Sequence, residues 1–157
     1  MKKTLKLIFC IFACQAAGFL GSFFTLAAIP LWYARLVKPP LNPPNQVFGP
    51  VWITLYLLMA ISVFLIWEKG RNKHDIKVAL ELFALQLFLN AVWSPIFFGV
   101  KEPMAGLLVI ILLWITLLET IVKFLKISTA AGILLIPYIL WISFAVYLNA
   151  GIWWLNR

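Results

Sequence analysis

Charge is scarce in this chain. Asp and Glu number five and Lys and Arg thirteen, so 11% of the 157 residues are charged while 64% are hydrophobic. Soluble domains average about 25% charged and 45–50% apolar. A water-soluble fold of this length could not bury so much apolar surface, whereas a bilayer solvates it. Histidine occurs once, as His74 in a charged stretch, and cysteine twice, as Cys10 and Cys14. So few thiols leave no basis for a disulfide scaffold, and this His/Cys inventory leaves none for a metal site. The i, i+4 spacing of the cysteines suits small apolar packing residues on one helix face. No nucleophile–base pair or carboxylate dyad is recognisable, which argues against hydrolytic chemistry.

The basic excess is +8, but it does not point to nucleic acid. The cations sit in short clusters between apolar blocks, where they anchor and orient membrane spans. Five blocks are long enough to cross a hydrocarbon core about 30 Å thick at 1.5 Å per residue. They cover about 7–29, 48–67, 78–100, 104–125 and 129–155. Alternating polarity is absent, so a β-barrel is excluded. Backbone groups in lipid must be satisfied within each segment, which makes the blocks helices. The expected fold is an all-α membrane protein, a single bundle of five transmembrane helices. The first block is longer than a signal-peptide core and lacks a clean cleavage site, so it reads as a retained helix.

One side of the membrane collects Lys2, Lys3, Lys6, Lys69, Arg71, Lys73, Lys77, Lys123 and Lys126, the other Arg35, Lys38, Lys101 and Arg157. This asymmetry predicts a cytoplasmic N-terminus, with the 30–47 loop on the opposite side. Glu81 and Glu119 lie near cytoplasmic helix ends and are expected at the interface beside Lys77 and Lys123.

Two features could carry function. The segment Pro30–Pro50 holds six of the nine prolines together with Trp32, Tyr33 and Phe48. Proline stiffens such a loop; it fits a lid over the bundle mouth, and it fits equally a rigid linker in an interfacial aromatic belt. In the third block, Gln86, Asn90, Trp93 and Phe97 share one helix face. An amide at that depth is costly without a partner, so the face must point inward. It serves either helix–helix gluing or ligand contact. Matching faces occur on the second helix, at Trp52, Tyr56 and Ala60, and on the fifth, at Tyr138, Trp141, Ala145 and Leu148 with Asn149 adjacent. Three tryptophan-bearing faces beside polar groups suggest a flat apolar pocket with a few orienting donors. Pro95 and Pro137 are placed to bend their helices and widen it. Gly18, Gly21 and Ser22 permit close packing in the first helix, within the chain or between two copies.

These stretches resemble the TspO/MBR family of tryptophan-rich sensory and translocator proteins, also called peripheral-type benzodiazepine receptors. The resemblance rests on Trp32-Tyr33 with Lys38-Pro39, on Asn42-Pro43-Pro44, and on Phe48-Gly49-Pro50-Val51-Trp52. It continues through Leu89–Gly99, then Pro137-Tyr138, Trp141, Phe144-Ala145 and Leu148-Asn149. It implies a five-helix bundle, often a homodimer, binding porphyrins such as protoporphyrin IX and benzodiazepine-type ligands under the first loop. The family's pocket positions carry onto Trp32, Trp52, Asn90, Trp93, Trp141 and Ala145. Taken with the faces above, the expected binding set also includes Tyr56, Phe97, Tyr138 and Leu148. No cofactor is expected; porphyrin enters as ligand, metal-free at least as readily as haem, because no His or Cys is placed to ligate iron. The resemblance also allows light-dependent porphyrin breakdown, transport, or stress regulation through a partner docking on Glu68–Lys77. After Tyr147 comes Leu-Asn-Ala-Gly-Ile-Trp, with no basic residue. The basic end of the animal members' cholesterol pattern is thus missing, which gives no support for a cholesterol partner and fits a bacterial membrane.

Overall fold

The computed structural model describes residues 2–69 and 73–157. Arg71 and the centre of the Glu68–Lys77 segment lie outside the described residues. Within them, all regular structure is helical, and five spans are long and apolar enough to cross a membrane. The first is α1 (Lys3–Ala28) and the second α2 (Asn45–Glu68). The third is α3 (Lys73–Ser94), prolonged by a π-helical stretch over Pro95–Val100. The fourth is α4 (Pro103–Ile127). The fifth divides at Leu135 into α5 (Thr129–Leu134) and α6 (Ile136–Leu155).

Local chemistry sets the ends of these elements. Proline lacks an N–H and is tolerated only in a helix's first turn without loss of a bond. Pro103 opens α4, and Pro137 falls in the first turn of α6, so the break at Leu135 sits where the proline forces it. The π stretch begins at Pro95 and ends at Lys101, whose φ of 63° is left-handed. The third helix starts about five residues before its apolar block. Asp75 in its first turn complements the helix dipole, and Lys77 meets Glu81 at 3.7 Å one turn on. Polar residues can therefore remain helical once they leave the hydrocarbon. No ion pair joins Glu119 to Lys123 among the described residues.

Packing is antiparallel between neighbours, most extensively α3 against α4 and α1 against α2. With the loop end taken as the top, the lower half is a dense apolar core in which Met59, Ile66, Leu117 and Phe124 are fully buried. Phe83 and Phe124 stack at 6.0 Å, locking α3 to α4. Lys6 bonds Glu68 at 2.7 Å and Phe9 meets Trp67 edge-on, pinning α1 to α2. Phe12, Phe19 and Phe23 on α1 and Leu108 and Leu112 on α4 point outward, as lipid-facing side chains do.

Candidate functional site

The upper half encloses a cavity of about 420 Å³, walled by α1, α2, α3, the π stretch and α6. Its floor is a hydrogen-bonded chain across three helices. The Tyr56 hydroxyl donates to the Asn90 carbonyl oxygen at 2.5 Å, and the Asn90 amide donates to the Tyr138 hydroxyl at 2.5 Å. This answers the desolvation cost of an amide at membrane depth. It also leaves Asn90 only one amide hydrogen and one lone pair for a ligand.

Aromatic rings form the walls. Trp52 stacks on Tyr56 at 5.5 Å, and Trp93 stacks on Phe97 at 5.1 Å. The Trp93 indole donates to Asn149 at 3.1 Å, and the Asn149 amide donates to the Pro103 carbonyl at 2.8 Å. That relay fixes the ring plane against the start of α4. Trp141 faces Phe48 edge-on at 6.0 Å, with Ala145 and Leu148 continuing its wall. A large aromatic beside the small Ala145 leaves a slot suited to a flat ligand.

Of the sequence-derived set, Trp52, Tyr56, Asn90, Trp93, Phe97, Trp141, Ala145 and Leu148 all line this one cavity. Trp32 and Tyr138 do not reach its wall. Trp32 packs against Phe97 at 5.6 Å and braces it from the side, while Tyr138 is fully buried beneath the floor. Gln86, on the same face of α3, is fully buried, and neither end of its amide has a partner among the described residues.

Sequence reasoning missed the α1 wall. There the Thr25 and Ser94 hydroxyls bond at 2.9 Å, and Ser94 donates to the Gly21 carbonyl at 2.7 Å. The Gly18–Gly21–Thr25 spacing was the available signal. A Cβ at Gly18 would collide with the Tyr56 ring, so this glycine is spent on packing within the chain. Tyr33, not its neighbour Trp32, is the loop aromatic that lines the cavity. Burial pushes the Tyr33 phenol up, with its hydrogen bond to Asn42 working the other way. It therefore remains a donor at neutral pH.

The loop above is fastened to α6. Asn156 grips the Val37 backbone twice, accepting from its N–H and donating to its carbonyl, each at 2.9 Å. The Tyr147 hydroxyl donates to the Pro40 carbonyl at 2.8 Å, and Pro39 lies flat on Gly151 with no room for a Cβ. The Lys38 ammonium sits 4.8 Å over the Tyr33 ring, whose hydroxyl donates to Asn42 at 2.9 Å.

Known proteins share this pattern along the whole chain. The model of the TspO/MBR family matches residues 10–155. The Tryptophan-rich protein TspO of Chlorobaculum tepidum is 44% identical over 155 residues, covering 99% of this chain and 98% of that one. A protein of the same name from Archaeoglobus fulgidus is 45% identical, covering 97% of each. The Translocator protein of Bos taurus is 38% identical, covering 89% of this chain and 83% of its own. With five apolar helices and these matches, the chain is an integral, multi-pass membrane protein that belongs to the TspO/MBR family.

Proposed function

We propose that this protein is a membrane receptor or carrier for a tetrapyrrole of the protoporphyrin IX type, held in the cavity beneath the loop. The observation that carries this reading is the convergence of Trp52, Trp93 and Trp141, from three helices, on one slot with a single amide in its floor. Ring stacking supplies affinity and the remaining capacity of Asn90 orients a polar edge. The same slot suits other flat aromatics, including benzodiazepine-type ligands. Its described lining contains no His or Cys, and the Tyr56 hydroxyl is committed to Asn90. Metal-free porphyrin should therefore bind at least as well as haem. The charge asymmetry supports a bacterial cell membrane with a cytoplasmic N-terminus. A homodimer is part of the proposal, and cross-linking in the bilayer would test it.

Titration of the purified protein with protoporphyrin IX and with haem tests the assignment. Trp141→Ala combined with Asn90→Ala should weaken protoporphyrin binding at least about tenfold, roughly 1.4 kcal/mol. Unchanged affinity would move the site elsewhere, and a strong haem preference with an axial-ligand spectrum would refute the metal-free reading.

The stacked Trp52–Tyr56 pair favours a second reading, light-dependent breakdown of the bound porphyrin. Oxidisable rings beside a photosensitiser can exchange electrons with it. Product analysis after illumination separates the two readings, since breakdown would need light and the cavity tryptophans. Flux into sealed vesicles would distinguish a carrier from a receptor.

A further inference from the structure

The roof and the side wall of the cavity differ in how they are closed. Where the lining comes from α3 or α6, its side chains are buried or half-buried. The exposed lining residues are Phe19 and Leu26 on α1 and Asn45, Gly49 and Ile53 on α2. The opening thus lies between those two helices.

Helix register explains the gap. In the lower half α1 and α2 run side by side, with Lys6 at Glu68, Phe9 at Trp67 and Gly18 at Tyr56. Continued upward, that register would set Ser22 against Trp52 and Leu26 against Phe48. The contacts go elsewhere. Thr25 and Gly21 bond Ser94, and Phe24 packs on Gly99, so α1 leans toward α3 and the π stretch. Phe48 packs on Trp141, so the start of α2 leans toward α6. The two helices splay into a V above Gly18. One hydrogen bond crosses its throat, from the Gln15 amide to the Ile53 carbonyl at 3.2 Å. Side chains around the mouth are apolar or weakly polar, and hydrocarbon surrounds them. The roof, by contrast, is tied to α6 by Asn156, Tyr147 and the Pro39–Gly151 contact.

We infer that the ligand reaches this cavity sideways from the bilayer, through the V between α1 and α2, and not beneath the loop. The inference rests on the ligand-binding reading above and sharpens its substrate class. The portal admits flat apolar molecules already dissolved in the loop-side leaflet and excludes those that partition into water. Gln15 and Ser22 are its polar margin, and the Gln15–Ile53 bond is the contact that must part for a wide ring to pass. Charged substituents must trail at one edge of the ligand, because the hydrocarbon will not carry them.

The test ties each route shut in turn. In a Cys10→Ala, Cys14→Ala background, one protein carries Gln15→Cys with Ile53→Cys and another carries Val37→Cys with Asn156→Cys. Each pair is bridged by a short linker that reducing agent removes. Protoporphyrin IX is delivered from liposomes, and its binding is followed by tryptophan quenching. Bridging α1 to α2 should slow association and dissociation together by at least about tenfold, leave Kd nearly unchanged, and be reversed on reduction. Bridging the loop to α6 should change neither rate. The opposite pattern would overturn the inference, as would equal rates in both bridged proteins. A second readout needs no porphyrin: a nitroxide attached at Ser22→Cys, reporting through collision. Broadening by dissolved oxygen in preference to a water-soluble nickel chelate supports a mouth facing lipid, and the reverse refutes it. If protoporphyrin IX fails to bind even the unbridged protein, the tetrapyrrole reading falls while the nitroxide still decides the portal.

Discussion

Below the Tyr56–Asn90–Tyr138 level, Met59, Ile66, Leu117 and Phe124 are fully buried; above it, Trp52, Trp93 and Trp141 stay only partly buried around empty volume. Both halves use large apolar side chains on the same helices. They differ in what closes the space. In the lower half, flexible aliphatics and a flat Phe83–Phe124 stack fill it. In the upper half, rigid rings are held off one another by hydrogen bonds at their polar edges, as with Trp93 on Asn149. A bilayer offers little hydrophobic drive to collapse such a gap, because lipid tails are as apolar as the wall. A cavity is therefore cheaper to keep here than in a water-soluble core, provided its polar edges are satisfied.

The sharpest way to break this contrast is to cut a hole in the dense half. Phe124→Ala should destabilise the bundle by about 3–5 kcal/mol, read from thermal unfolding in detergent. A loss no larger than that of a surface substitution would mean the lower half is as loose as the upper. Next is an intrusion at the boundary. Gly18→Val pushes a side chain into the Tyr56 ring, and overpacking should cost about 1–3 kcal/mol. It should weaken protoporphyrin IX binding more than Phe124→Ala does, because the displaced ring is the cavity floor.

A smaller effect is expected from the roof. Asn156→Ala removes both bonds to Val37 and should lower stability by about 1 kcal/mol. Hydrogen exchange around residues 36–38 should rise while the α3–α4 core stays protected. Smallest of all is Leu41→Asn. Leu41 holds φ at 67° and is exposed, a conformation Asn tolerates far better. The change should raise stability by no more than about 1 kcal/mol, and a loss would show that the Leu41 side chain is needed where it stands.

The sequence made the helices and one face of each legible, because hydrophobic length and the 3.6-residue period are local properties. Asn90, Trp93 and Phe97 fall on the expected side of α3 for that reason. What the period cannot supply is the partner. That Asn90 is held between Tyr56 and Tyr138, and that Trp93 reaches Asn149, depends on pairings 34 to 56 residues apart. The choice between Trp32 and Tyr33 was hidden for another reason. Both sit at a short 3-10 turn over Tyr33–Arg35, and which ring faces inward depends on how that turn seats on α6 and Phe98. The early start of α3 escaped notice because a hydropathy boundary marks where the hydrocarbon ends, and a helix is free to continue past it.

The wider turn over Pro95–Val100 has a consequence for how the chain tolerates changes in length. A π-helical turn is an α-helical path carrying a surplus residue. Deleting one residue between Pro95 and Val100 would relax the bulge and swing everything after it by about 100° around the axis. Phe97 and Phe98 would lose their inward bearing, and the reversal at Lys101 would no longer aim α4 at α3. A deletion of the same size in the exposed 30–44 loop would disturb only the roof. The surplus residue in the third span thus sets the azimuth of the second half of the protein.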